Sequence, residues 1–266
     1  MSEPKEPRYF ASDLVPGRAG ALSRSAYLKL FSKADERHLA VGEASPTYLP
    51  SAVAIPNILQ FNPKAKFIVI LRPQIEMARS LHARFYHDGR EDVPDFEQAW
   101  RLQDARRRGQ HIPKFCYEPK ELFYGEFCKL GEQLERLHQQ VHKDLLLVIF
   151  SNELRAQTRV VYDRVLDFLN VPSDGRQHFP IYEENRRRRS EALKLGLLTI
   201  DKLKIGLGIK SFGLGIATAL SNLNEKKEPR IPLRPEFYAE LVEHFRSDVD
   251  KLSELTGRDL SDWLRP

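Results

Sequence analysis

Two unbroken apolar runs constrain the fold more than any other feature of these 266 residues. Lys66-Phe67-Ile68-Val69-Ile70-Leu71 follows the Asn62-Pro63 turn signal, and Leu145-Leu146-Leu147-Val148-Ile149-Phe150 follows Lys143-Asp144. Neither run alternates apolar with polar residues. Short runs of this kind read as strands buried on both faces, the pattern of a parallel sheet covered by helices. A weaker run, His38-Leu39-Ala40-Val41-Gly42, reads as a third strand. Helical spacing fills the intervals, over 74–87, 95–108, 120–142, 158–170 and 234–255. The last of these has Phe237, Leu241, Phe245, Val249 and Leu252 on one face and Gly257 as its stop. Strands alternating with helices predict an α/β fold, here one three-layer domain over residues 1–266.

Composition narrows the function classes. Lys plus Arg is 42 and Asp plus Glu is 37, a net charge of +5. So small an excess over this length points to anionic ligands at local sites. It does not point to nucleic acid, since the basic stretches also lack interleaved aromatics. Cys116 and Cys128 are too few for a disulfide framework or a four-cysteine metal site, and are expected to be free thiols in a reducing compartment. Met1 to Pro7 carries no apolar leader pattern, and no window reaches the roughly 18 uninterrupted apolar residues of a membrane span. A cytoplasmic protein without integral membrane association is the expectation. One stretch stands apart: residues 203–220 are apolar but broken by Gly206, Gly208, Gly213 and Gly215. Glycine at that density weakens a helix, so a lid, a membrane-surface segment and a packed irregular hairpin all stay open.

The chemistry concentrates after the first strong strand, in Leu71-Arg72-Pro73 and the helix through Ser80. Ligands of α/β folds bind at the carboxyl ends of parallel strands. A guanidinium there, beside the free amides of a helix start, favours a phosphate, and Ser80 supplies a hydroxyl two turns on.

These residues resemble the sulfotransferases that use 3′-phosphoadenylyl sulfate, in particular the bacterial and heparan-sulfate-type branch. That family has Arg-(Asn/Asp)-Pro-Val-Glu-Arg/Met-Ala-x-Ser after a central strand, and Arg72, Glu76, Met77, Ala78 and Ser80 fit it. The departure is at Pro73-Gln74. Four further segments fit in order: Lys5-Glu6-Pro7-Arg8-Tyr9-Phe10; Gly42-Glu43-Ala44-Ser45-Pro46-Thr47-Tyr48-Leu49; Glu153-Leu154 with Tyr162 through Pro172; and Gly257-Arg258-Asp259-Leu260 with Trp263. Together they run nearly the length of the chain. The resemblance implies a P-loop-NTPase-like domain, Arg72 and Ser80 on the 3′-phosphate, and Glu6 as general base. It implies 3′-phosphoadenylyl sulfate as co-substrate and a small-molecule or carbohydrate acceptor; no metal is expected, because no histidine pair has zinc-ligand spacing with a carboxylate between. The basic run Asn185 to Arg189 reads either as a solvated face or helix start or, as the resemblance implies, as a second clamp on the 3′-phosphate.

One part of the pattern is not in the sequence. The family's first strand and phosphosulfate loop precede its Lys-Glu segment, and no Gly-x-x-x-x-Gly-Lys pattern occurs here. An upstream start and a degenerate, non-catalytic relative acting as a binding or scaffold protein are both consistent with that. A missing central strand leaves sheet edges unpaired. Of the other candidates, His82 reads as packed rather than catalytic, His38 as structural, and no histidine pair has zinc spacing. Ser45 lacks the Gly-x-Ser-x-Gly frame of a nucleophile; Tyr48 reads as a stacking surface for the acceptor. Arg106-Arg107-Arg108 fits a helix end favoured by the dipole.

Overall fold

The computed structural model describes residues 1–14, 22–180 and 232–265, together with the backbone of two short strands at 187–188 and 225–226. The two strong apolar runs form β1 (Phe67–Leu71) and β2 (Leu146–Phe150), paired in parallel with Phe67 opposite Leu146 and Leu71 opposite Phe150. Strand side chains alternate between faces. Phe67, Val69 and Leu71, with Leu146, Val148 and Phe150, join the main core. Ile68 and Ile70 point the other way and remain 39% and 54% exposed. The α/β class and the small parallel sheet flanked by helices therefore stand, but among the described residues β1 is covered on one face, not two. An apolar run reports strand character without saying what lies over each face.

The third expected strand does not form. Residues 38–42 make no ladder; Leu39 and Val41 are exposed. Nearby backbone donors are taken by side chains instead: the Asp35 amide donates to His38 Nδ1 and the Arg37 amide to Asp35 Oδ1. The short strands β3 (Arg187–Arg188) and β4 (Glu225–Lys226) pair antiparallel. Residues 203–220, and Asn185, Arg186 and Arg189 of the basic run, lie outside the described residues.

Helices follow the predicted periodicity, with instructive breaks. After α1 (Arg24–Lys29) and α2 (Ala54–Phe61), α3 covers Gln74–His87 as expected. The 95–108 helix divides at Leu102 into α4 (Phe96–Arg101) and α5 (Gln103–Arg107). The 120–142 helix becomes a 3-10 turn (Pro119–Leu122), α6 (Tyr124–Phe127) and α7 (Leu130–His138). The cause is visible in the hydrogen bonds. The Gly125 amide donates to Gln103 Oε1 at 2.7 Å, and the amides of Gly131 and Glu132 donate to the Asp248 carboxylate at 2.9 and 3.0 Å. Donors claimed from other elements start new helices there. Beyond β2 come α8 (Ser151–Ala156), α9 (Thr158–Leu169) and α10 (Pro235–Thr256). α10 begins with Pro235 in its first turn and ends at Gly257, whose φ of 66° is the left-handed conformation that glycine adopts without strain.

Asp248 of α10 fixes the ends of two other helices. Besides capping α7, it accepts from Gln74 Nε2 at 3.1 Å, so the first residue of α3 is tied to α10 and α7 at one carboxylate. Gly131 permits this approach: a Cβ there would meet the Asp248 backbone oxygen at 2.5 Å. A second buried pair staples the far end of α3. Arg106 donates twice to Glu91 at 2.7 Å, both side chains fully buried, and Tyr124 Oη adds a third bond at 2.7 Å.

His82 packs on the inner face of α3 with its Nε2 2.9 Å from the Val93 carbonyl oxygen, against the rings of Phe96 and Tyr124. Burial holds its pKa below the ordinary 6.5, against the opposing pull of the Val93 carbonyl and of Glu91. The unfolded chain therefore binds this proton more readily than the native one. Native stability is expected to be undiminished above pH 6.5 and to fall as the pH drops below it, by at most about 1.4 kcal/mol per pH unit for one group. Urea midpoints of wild type and His82→Gln between pH 7.5 and 5 check this; parallel slopes would refute it.

Candidate functional site

Arg72 leaves the carboxyl end of β1 and Pro73 turns the chain into α3. Gln74, 2% exposed and held by Asp248, anchors that turn. Arg72 then lies along the helix: one of its terminal nitrogens stands 3.4 Å from Glu76 Oε2. Glu76 and Ser80 are one helical turn apart, so Arg72, Glu76 and Ser80 form a single stripe. Ser80 lies two turns into α3, and the ion pair of Arg72 is with Glu76, not with Ser80. Arg72 Nε is buried and has no hydrogen-bond partner among the described residues. An unmatched guanidinium N–H in that place fits an anionic oxygen, since leaving a buried donor unmade costs about 1–3 kcal/mol.

The stripe carries mixed charge. Burial lowers the pKa of Arg79, opposed by the nearby charges of Glu76 and Tyr238. Tyr238 of α10 faces the same region; burial and then Glu76 push its phenol upward, and its hydroxyl donates to the Arg265 carbonyl at 2.5 Å. Arg79 and Tyr238 were not singled out by the sequence. Arg79 is signalled only by its place one residue before Ser80, and Tyr238 by nothing short of tertiary contact.

Glu6 lies on the irregular segment that precedes α1. The segment that carries it is not a loose terminus. The Ser2 amide donates to the Gly42 carbonyl, the Glu3 amide to the Leu30 carbonyl, and Asn57 Nδ2 to the Phe10 carbonyl. Glu6 and Arg8 both hold positive φ, 54° and 52°. Non-glycine residues keep that conformation only where surrounding contacts enforce it, at a cost of about 1–3 kcal/mol each. The contacts are evident. Arg8 Nη2 is 3.9 Å from Glu6 Oε2, and Arg8 Nη1 is 3.4 Å from Glu121 Oε1. Glu121 is buried and pairs with Arg90, whose guanidinium stacks between the rings of Phe85 and Tyr117. Among the described residues no hydrogen bond or ion pair links Glu6 to Arg72 or Ser80. Their common reference is α3: Ser80 precedes Phe85, the ring beneath Arg90, by about 8 Å of helix rise.

The segment Gly42 to Tyr48 meets the segment that carries Glu6. Tyr48 is not presented as an open stacking surface. Its ring packs edge-on against Phe10, and its hydroxyl donates to Glu43 Oε1 at 2.7 Å. Tyr27 donates to the same oxygen at 2.9 Å, and Ser45 Oγ to Glu43 Oε2 at 2.8 Å. Burial, then the Glu43 carboxylate, pushes both tyrosine hydroxyls up and keeps them protonated. Of the basic run 185–189, only the backbone pairing of Arg187 and Arg188 is described. Arg106 departs from the sequence reading: it is the buried partner of Glu91 and not a solvated helix end. Among the described residues no helix is long and apolar enough to cross a membrane.

No protein-family description matches this sequence, and no curated protein matches it. Comparison with solved structures does find a likeness. The crystal structure of a sulfotransferase from Alicyclobacillus acidocaldarius aligns with a TM-score of 0.69 over 99% of this chain and 87% of that one, at 21% sequence identity. The fold is shared with that sulfotransferase. At this identity the likeness is one of architecture, and it agrees with the α/β class read from the apolar runs.

Proposed function

We propose that this chain transfers a sulfuryl group from 3′-phosphoadenylyl sulfate to a hydroxyl or amine acceptor. The observation that carries the reading is the buried, unmatched Arg72 Nε at the carboxyl end of β1, in a fold shared with a sulfotransferase. Arg72 and Ser80 hold the 3′-phosphate of the nucleotide. The acceptor oxygen or nitrogen attacks sulfur, its new bond forming as the bond from sulfur to the bridging phosphate oxygen breaks. The acceptor proton passes to Glu6, and adenosine 3′,5′-bisphosphate leaves. In-line placement supplies much of the acceleration in such transfers, with the base adding about 10²–10⁴-fold. Glu6 suits the role because a half-buried carboxylate held by Arg8 is fixed in position and still reachable.

A second reading takes the chain as a relative of sulfotransferases that does not carry out the transfer. In that reading the chain binds the nucleotide without turning it over, as a binding or scaffold protein. One experiment separates the two. The full chain is incubated with ³⁵S-labelled 3′-phosphoadenylyl sulfate and a phenol, an amino sugar or an aliphatic alcohol. Label in any acceptor supports transfer; nucleotide binding without label supports the binding protein. Neither binding nor transfer overturns both.

A further inference from the structure

We infer that Glu43 is a positioning residue for Glu6, an inference that rests on the transfer reaction proposed above. Its carboxylate gathers three hydroxyl donors from three places in the chain, Tyr27 on α1, Ser45 and Tyr48. Two of these hydroxyls pass the constraint on. Ser45 Oγ, already donating to Glu43, accepts the Arg8 amide at 3.0 Å, and Tyr48 Oη accepts the Phe10 amide at 3.4 Å. Glu43 decides which way both hydroxyl protons point, and so leaves their lone pairs to the backbone of residues 8–10.

That backbone carries the left-handed turn on which Glu6 sits. Arg8 is held at its amide by Ser45 and at its guanidinium by Glu121, and its other terminal nitrogen faces Glu6. The positive φ values of Glu6 and Arg8 need such pinning to persist. The rest of the segment has its own anchors: Asp13 accepts from Ser51 Oγ at 2.5 Å and from the Ala52 amide at 2.9 Å, independently of Glu43. Loss of Glu43 is therefore local. It releases the turn bearing Glu6 while leaving residues 11–14 docked and the Arg72 stripe, on a different element, untouched. Glutamine is the informative replacement, because its amide nitrogen opposes at least one of the three hydroxyl donors while its size is kept.

The test is a double-mutant cycle on the full chain. Its readout is release of ³⁵S-labelled inorganic sulfate from 3′-phosphoadenylyl sulfate, with water in the place of the acceptor. Glu43→Gln is expected to lower kcat about 10- to 100-fold with KM for the nucleotide within about twofold, and Glu43→Asp to recover part of the loss. Glu6→Gln/Glu43→Gln is expected to be no slower than Glu6→Gln alone, because a residue that acts through Glu6 has nothing left to position. Additive losses, or a Glu43→Gln variant with wild-type kcat, overturn the inference while Glu6 stands as base. A Glu6→Gln variant with full activity overturns the reading beneath it; a wild type that releases no sulfate is assayed in the same cycle with an acceptor that takes label, and no label in any acceptor overturns that reading. Should Glu43→Gln fail to fold, Ser45→Ala, which removes the hydroxyl joining Glu43 to the Arg8 amide and leaves the Tyr27 and Tyr48 bonds to Glu43, runs the same cycle with the same criteria.

Discussion

Glu91→Ala is expected to destabilise the protein by about 3–5 kcal/mol, among the largest single-site losses in the chain. The reason is what it strands. Arg106 is fully buried and has Glu91 as its carboxylate partner through two bonds of 2.7 Å; its Nε donates only to the His111 carbonyl. Glu91 also accepts from Tyr124 and from the amides of Asp92 and Val93. Burial alone would push the Glu91 carboxyl up, but Arg106, the Val93 amide and Tyr124 outweigh it and hold the pKa below 4.5. A carboxylate depressed in the native state stabilises above its unfolded pKa and loses that contribution as the pH falls through the native one. Below pH 4.5 the difference between Glu91→Ala and wild type is therefore expected to shrink. Urea unfolding at pH 7 and pH 3.5 measures both effects. A loss under 1 kcal/mol at pH 7, or a difference that widens in acid, would contradict this account.

Glu6→Gln is expected to lower the rate of sulfuryl transfer by about 10²–10⁴-fold, with nucleotide affinity unchanged. The amide keeps the shape of the side chain but cannot take a proton. Because Glu6 belongs to the Arg8–Glu121 cluster and Arg72 to the β1–α3 junction, the two functions are expected to separate under mutation. Steady-state kinetics with titration of adenosine 3′,5′-bisphosphate reports both quantities. Equal losses of rate and affinity would mean that Glu6 touches the nucleotide or supports the fold, and would remove it from the role of base.

Much of this could be read from residues alone, and the failures have physical causes. The α3 boundaries, the Gly257 stop and the two strands were legible because local signals and burial agree there. The helix over 120–142 was not, because Asp248 and Gln103 claim its amides from elements distant in sequence. Arg106 in a run of three arginines looks solvated; only its partner Glu91, fifteen residues away, makes it a core residue. The placement of Arg72 just past β1 and of Ser80 on α3 was legible, because each follows from the bounds of its element. The role of Glu43 was not, since Tyr27, Ser45 and Tyr48 converge on it only after folding.

The central claim is that Arg72 grips an anionic group of a nucleotide. Calorimetric titration of adenosine 3′,5′-bisphosphate into wild type and Arg72→Ala, with adenosine 5′-monophosphate as control, tests it most directly. The account predicts saturable binding of the bisphosphate, weakened about 30- to 1,000-fold by the substitution as a charge-assisted contact of about 2–4 kcal/mol is lost, with the monophosphate binding weakly to both. Equal affinity of the two proteins for the bisphosphate, or no preference for the 3′-phosphate, would contradict it.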